Sequence, residues 1–339
     1  MARVRVAVVM GGRSSEHEIS IASARSVIDA LDPARYETVT VEIGRDGRWE
    51  LGSGSQAELE RDGRSAIETL PVPTSRVPET LAGVDVVFPV LHGPFGEDGT
   101  VQGLLELADV PYVGAGVTAS ALCMDKDLFK SVLRDNGVPV TRSVTLRAPG
   151  QLENPFGYPV FVKPARLGSS VGITKAHSED ELRAGIALAF EHDEKVLVEE
   201  FVDGVEVECS VLGNEKPIAS IPGEIEANAD WYDYSAKYDE GGMQLVIPPR
   251  ISQEAMERVQ ELSVEAFRVT DCEGMARVDC FVRADGEVLI NELNTIPGFT
   301  ATSVYAKLFE ASGIPYEELL ERLVQLALDR HERRARLKF

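Results

Sequence analysis

Residues Met275–Thr302 read MARVDCFVRADGEVLINELNTIPGFTAT, and the middle of that stretch decides the fold. Asp285-Gly286 is the two-residue signal of a type I′ hairpin turn, flanked on both sides by runs rich in Val, Phe, Leu and Ile. A turn there predicts that Asp279 faces Glu292 and that Arg277 faces Asn294. Side chains alternate faces with period two, so the four polar residues share one face at one end of the hairpin. Opposed Cβ atoms lie about 4.5–5.5 Å apart, and like charges there repel unless something sits between them. Two carboxylates and an amide oxygen are hard ligands that suit Mg²⁺, which reads Asp279, Glu292 and Asn294 as a magnesium site. A polar sheet face in which Arg277 neutralises two acids satisfies the same pattern. The hairpin alone leaves both open.

At 339 residues the chain exceeds what one core usually organises, which predicts two or three domains. Its formal charge of −22 argues against nucleic acid or an anionic membrane as partner. An anionic ligand must then be met by local positive groups. Lysine is scarce, and Lys126, Lys163 and Lys237 all fall in motif-like stretches. The four cysteines have no CxxC spacing and sit in apolar runs, as reduced core cysteines of a cytoplasmic protein do. The chain enters a strand at once and has no long apolar run, so neither a signal peptide nor membrane insertion is expected.

Arg3 to Val9 is an apolar strand, Gly11-Gly12 a turn, and Ser14 or Ser15 a cap for a helix to Leu31, the opening of a doubly wound α/β domain. Glu16 lies in that helix's first turn, where an acid normally complements the helix dipole. A buried strand, Val84 to Leu91, ends at His92 in HGPFGEDG, where α/β folds place ligand contacts. One helix is predicted over Ser120–Asn136, carrying Lys126. YPVFVKPARLGSSVGITK, from Tyr158, reads as strand, glycine-serine loop, strand, with Lys163 at the end of an apolar strand and Gly168, Ser169 and Ser170 offering N–H groups to phosphates. Neither a Walker A motif nor GxGxxG occurs. Ser178 with Glu181 forms a capping box. Lys195–Leu212 reads as two strands about Asp203-Gly204, and residues 226–249 as a long lid loop.

Taken together, GGRSSE from Gly11, LHGPFGEDGT, MDK, VKPARLGSSVG, VEEFVDGVE, YDYSAKY, ARVD and NELNTIPGFTATS resemble the D-alanine–D-alanine ligase family of ATP-grasp enzymes. The resemblance implies an α/β ATP-grasp protein: a Rossmann-like N-terminal domain (1–121), then a central (122–213) and a C-terminal domain (214–339), both α+β, that clasp ATP. It implies that Lys126 and Lys163 meet the α/β-phosphates, that the Gly168–Ser170 loop covers them, and that Lys237 meets the γ-phosphate. Adenine would lie along Glu199, Glu200, Phe201 and Val202, with Glu206 on the ribose and Phe281, Asn291 and Glu292 completing the nucleotide site. Asp279, Glu292 and Asn294 would hold two Mg²⁺ ions, with Mn²⁺ as a substitute.

The implied reaction joins two D-alanines through an acyl phosphate, for peptidoglycan precursors. Glu16 would bind the first D-alanine's ammonium, His92 would sit beside it, and Ser303 would hold the second's carboxylate. Arg277 and the Gly298 N–H would stabilise the oxyanion, and Glu16, Ser169 and Tyr238 would tie the lid shut. Tyr238 favours the dipeptide over a D-alanine–D-lactate or D-alanine–D-serine product. A cytoplasmic homodimer is the expected assembly. The residues offer no obvious base for the attacking amine.

Overall fold

The computed structural model describes residues 3–51, 81, 83–150, 152–168, 171–227 and 243–338. Ser169, Ser170, Lys237 and Tyr238 lie outside them. In chain order the strands are β1 (Val4–Gly11), β2 (Tyr36–Ile43), β3 (Trp49–Leu51), β4 (Val86–Pro89), β5 (Ser143–Leu146), β6 (Val160–Pro164), β7 (Thr174–Ala176), β8 (Val196–Glu200), β9 (Val205–Gly213), β10 (Ile218–Ala219), β11 (Gly223–Ala227), β12 (Met243–Val246), β13 (Gly274–Val282) and β14 (Val288–Asn294). They form three sheets.

The first sheet runs β3-β2-β1-β4, with β1 parallel to β2 and β4. The middle of β1, Val6–Val9, reads as unbroken Val and Ala because helices cover both faces. Ala7, Val9 and Val87 pack toward the helix Thr100–Leu107 through Val101 and Leu105. Val6, Val8 and Phe88 join a core built from Ala24 and Val27 of the helix His17–Ala30 and from Leu319, Leu320 and Leu323 of the last helix, Tyr316–Ala335. Gly11 cannot be replaced cheaply: its φ is +86° and an added Cβ would meet the Ile43 carbonyl oxygen at 2.4 Å.

The second sheet, β5-β8-β6-β7, carries its own apolar cluster, in which Val160, Val162 and Val198 meet Leu182 and Ile186 of the helix Glu179–Phe190. The Ser178 cap of that helix forms as expected, accepting from the Glu181 N–H at 3.3 Å, while Glu181 accepts from the His177 N–H at 2.8 Å. The third sheet is β12-β11-β9-β13-β14 with β10 beside β9, backed by the helix Gln253–Val269.

Four expectations differ. The predicted helix over 120–136 is two, Val117–Met124 and Lys126–Asp135. Asp125 breaks it with φ −85° and ψ 94°, caps the second helix by accepting from the Leu128 N–H, and is held by Lys195 Nζ at 2.7 Å. β8 and β9 are no hairpin, because the chain crosses at 201–204 from the second sheet to the third. The stretch 226–249 is not all loop: its two ends join an antiparallel pair, β11 with β12. Finally, neither Ser14 nor Ser15 caps the first helix; Glu16 occupies the N-cap position, and the Ser14 hydroxyl donates to the His92 carbonyl at 2.7 Å.

The turn of the deciding hairpin also differs. Arg283 N donates to Glu287 O and Gly286 N to Arg283 O, both at 2.9 Å, with Gly286 at φ +88°. This is a three-residue loop closed by a left-handed glycine rather than a two-residue turn. Next to it Val282 pairs with Val288 and Cys280 with Ile290, one residue off the predicted ladder. A bulge between Asp279 and Cys280 then restores the register, giving Asp279 opposite Glu292 and Arg277 opposite Asn294.

Candidate active site

The three units meet around a cleft of about 790 Å³. One wall is the polar end of the β13–β14 hairpin. Arg277 grips Asp279 with two hydrogen bonds, Nε to Oδ1 at 2.8 Å and Nη2 to Oδ2 at 2.7 Å, and its Nε lies 2.9 Å from Glu208 on β9. Burial works against the guanidinium charge, but Asp279 and Glu208 together hold its pKa well above the ordinary arginine value. Asn294 Nδ2 donates to Asp279 Oδ2 at 3.1 Å, and Lys126 Nζ lies 3.2 Å from Glu292. Two carboxylates and an amide therefore sit on one face among cations, a donor set of hard oxygens that fits Mg²⁺. Their negative charge is already partly balanced by Arg277 and Lys126.

A second wall carries lysines. Lys126 opens the helix Lys126–Asp135, and its Nζ donates to the Leu167 carbonyl at 2.9 Å at the foot of the glycine-serine loop. Lys163 Nζ lies 2.5 Å from Glu199 and 3.5 Å from Asn291 Oδ1, the residue that the bulge inserts into β14. Behind Glu199 stands Lys130, fully buried and bonded both to Glu199 and to the Thr141 hydroxyl. Burial alone would raise the Glu199 pKa, yet the two ammoniums hold it down to about 2. The same burial pushes Lys130 down to about 8 against the pull of Glu199.

Glu199 and Glu200 at the end of β8, Phe201 and Val202 in the crossing, and Glu206 near the start of β9 line the cleft with Phe161 and Phe281. The Glu200 carboxylate turns away, accepting from the Arg142 backbone N–H at 2.9 Å and from its guanidinium at 2.6 Å.

The third wall belongs to the first unit. The Glu16 carboxylate sits where a Cβ on Gly93 would approach it to 3.0 Å and one on Gly168 to 3.9 Å, so it faces both the HGPFGEDG loop and the base of the glycine-serine loop. His92 Nδ1 pairs with the Ile296 carbonyl at 3.0 Å, and Glu97 accepts from the N–H groups of Ile296 (3.1 Å) and Gly93 (2.8 Å). Burial lowers the His92 pKa, and burial with Glu16 nearby pushes Glu97 up to about 8. Ser303 is the N-cap residue of the helix Val304–Ala311, its Oγ accepts from Thr300 N at 3.0 Å, and it stands 3.3 Å from where a Gly298 Cβ would lie. Gly298 and Ser303 thus share one corner of the cleft.

Every site residue read from the sequence that lies among the described residues lines this cleft except Asp279, which is hydrogen-bonded to Arg277 and Asn294 of the lining. Three that sequence reading passed over also belong: Lys130, Glu97 and Glu208. Lysine scarcity could have flagged Lys130, and period-two spacing from Glu206 could have flagged Glu208.

The D-ala D-ala ligase N-terminus family matches residues 5–115 and the D-ala D-ala ligase C-terminus family residues 132–325. The chain is 42% identical to D-alanine–D-alanine ligase A of Salmonella typhimurium, covering 100% of this chain and 99% of that one. It is 46% identical to the D-alanine–D-alanine ligase of Solibacter usitatus, with 99% of each covered. Among solved structures it resembles the VanG D-Ala:D-Ser ligase of Enterococcus faecalis (TM-score 0.84, 38% identity, 96% of this chain and 100% of that one). It also resembles a Bacillus anthracis D-alanine–D-alanine ligase complexed with ATP (TM-score 0.79, 30% identity, 98% and 100%).

Proposed function

Because the chain belongs to the D-alanine–D-alanine ligase family, we propose a division of labour among its cleft residues for joining two D-alanines with ATP. The ligation itself, supplying peptidoglycan precursors, and the use of ATP follow from that membership. The observation that carries the assignment of roles is the paired set Arg277, Asp279, Glu292 and Asn294, facing Lys126 across one cleft.

Lys126 and Lys163 bind the α/β-phosphates, and the loop that starts at Gly168 covers them, while Lys237 meets the γ-phosphate. The crossing from Glu199 to Val202 takes the adenine, with Glu206 at the ribose and Phe281 and Asn291 beside the nucleotide. Asp279, Glu292 and Asn294 would hold Mg²⁺, which when bound neutralises phosphate charge. Glu16 binds the ammonium of the first D-alanine, whose carboxylate takes the γ-phosphoryl group to give an acyl phosphate. Ser303 holds the carboxylate of the second. Arg277 and the Gly298 N–H steady the oxyanion as the second amine attacks; comparable donors are worth about 10²–10³ in rate. Closure of Ser169 and Tyr238 against Glu16 would exclude water from the acyl phosphate.

We further propose a cytoplasmic homodimer with domains near 1–121, 122–213 and 214–339. Among the described residues no helix is long and apolar enough to cross a membrane. The test of the whole reading is ADP release with D-alanine as sole amino acid, and its absence would refute it. A D-alanine–D-serine product, favoured by likeness to the VanG D-Ala:D-Ser ligase, is the second reading, with D-alanine–D-lactate as its alternative. Competition between D-alanine, D-serine and D-lactate near neutral pH separates the three.

A further inference from the structure

The peptide unit of Ile296 is gripped from both sides by the HGPFGEDG loop. Its N–H is taken by Glu97 and its carbonyl by His92 Nδ1. A carbonyl oxygen can only accept, so Nδ1 must carry the proton, which fixes the ring tautomer. Nε2 then bears a lone pair. It is fully buried, and among the described residues it has no hydrogen-bond partner. Buried polar atoms are rarely left so, and an orphan in a ligand cleft marks a place where a substrate group belongs.

The cleft narrows down which group. His92 lines it together with Glu16, Arg277, Gly298 and Ser303. The reading above already gives the first D-alanine's ammonium a partner in Glu16, and gives the oxyanion Arg277 and Gly298. The second amine is left with none, although it must shed a proton before it can attack. Resting on that reading, we propose that His92 Nε2 is the general base that accepts a proton from the ammonium of the second D-alanine, with Glu97 a positioning residue that holds Ile296 so that the imidazole keeps its tautomer.

The step balances. The ammonium gives one proton to Nε2, and the freed nitrogen lone pair forms the C–N bond to the acyl-phosphate carbon. The carbonyl electron pair moves onto oxygen. On collapse the C–O bond to phosphate breaks, its electron pair leaves with inorganic phosphate, and the second nitrogen proton goes with it. Burial lowers the imidazole pKa and so favours its neutral form. The charged groups facing it are Glu16 and Arg277, with Glu97 on its own loop. Glu16 favours the imidazolium that forms and Arg277 opposes it.

His92→Asn tests this, because the amide Nδ2 can still donate to the Ile296 carbonyl while Nε2 is gone. Methoxyamine, an amine uncharged at neutral pH, replaces the second D-alanine as acceptor and reports acyl-phosphate formation without needing a base. General bases are typically worth about 10²–10⁴ in rate. The ratio of dipeptide to methoxyamine adduct should therefore fall about a hundredfold in the variant. A ratio within a few-fold of wild type overturns the proposal. Wild-type chain that makes the adduct but no dipeptide would instead refute the functional reading. Should the variant make neither product, the wild-type pH profile decides: dipeptide formation must fall on the acid side where adduct formation does not, and a limb shared by both overturns the proposal.

Discussion

Glu199→Gln is the most informative single change outside the proposed chemistry. The carboxylate is 2% exposed and holds two buried ammoniums, Lys130 behind it and Lys163 in front. A carboxylate held at about 2, against an ordinary 4.5, contributes on the order of 3 kcal/mol at neutral pH. Its folded pKa is depressed, so the contribution is complete above about pH 4.5 and is lost as pH falls toward 2. Lys130, pushed from 10.5 to about 8, acts in the other direction by a similar amount. The pair as a whole is therefore close to break-even, as buried ion pairs commonly are.

Removing one partner is another matter, because two buried ammoniums lose their counter-charge, at a cost of about 3–5 kcal/mol. In a chain of this size that lowers the melting temperature by about 4–7 °C. Lys130→Met should cost less, since Glu199 keeps Lys163, and the double variant should recover part of the loss. Thermal melts of the three variants at neutral pH, with ATP saturation measured alongside, check this. A Glu199→Gln melt within about 1 °C of wild type, or no recovery in the double variant, refutes the argument.

Asp279→Asn or Glu292→Gln should each reduce turnover at least about a hundredfold while leaving the melt within a few degrees, read by ADP release and thermal unfolding. Glu97 should give stability a pH slope: its folded pKa is raised to about 8, so its contribution is full below about 4.5 and is lost as pH rises through 8. Glu97→Gln should flatten the decline in melting temperature over that window, and an unchanged slope would count against the burial account. Ser252→Ala removes the cap on the helix Gln253–Val269, whose Oγ accepts from Ala255 N at 3.1 Å, and should cost about 1 kcal/mol in denaturant titration without changing turnover.

The hairpin shows how far sequence reasoning reached and why. It placed Asp279 against Glu292 correctly, but through two offsets that cancel: a three-residue loop where two were expected, and a bulge that takes the shift back. Loop geometry depends on backbone angles that Asp-Gly permits without dictating. Period-two alternation carried the polar residues to one face regardless. The break at Asp125 was hidden because helix periodicity continues through it, and distant partners, Lys195 on the Asp125 carboxylate and the Ala165 carbonyl on the Lys126 N–H, help to make the interruption favourable. β8 and β9 look like a hairpin locally, while their separation into two sheets is decided by partners far away in sequence. Lys130 reads as one more charge on a helix until tertiary packing buries it against Glu199. Roles for the ligand contacts came from family likeness, since no spacing rule links Glu16 to Gly298.

The core under the first sheet has a consequence for how the chain is born. One face of β1 and β4 is sealed by residues near in sequence, Val101 and Leu105, but the other leans on Phe299, Tyr305, Phe309, Leu319 and Leu323. Domains are expected to fold in order as they leave the ribosome. Here Ala24 and Val27 of the first helix cover Val8 and Phe88 only in part until nearly the whole polypeptide has been synthesised, so the earliest part of the chain to emerge is among the last to be fully shielded. A nascent chain arrested before residue 300 should accordingly hold a half-clad sheet that recruits chaperones, which the finished protein no longer needs.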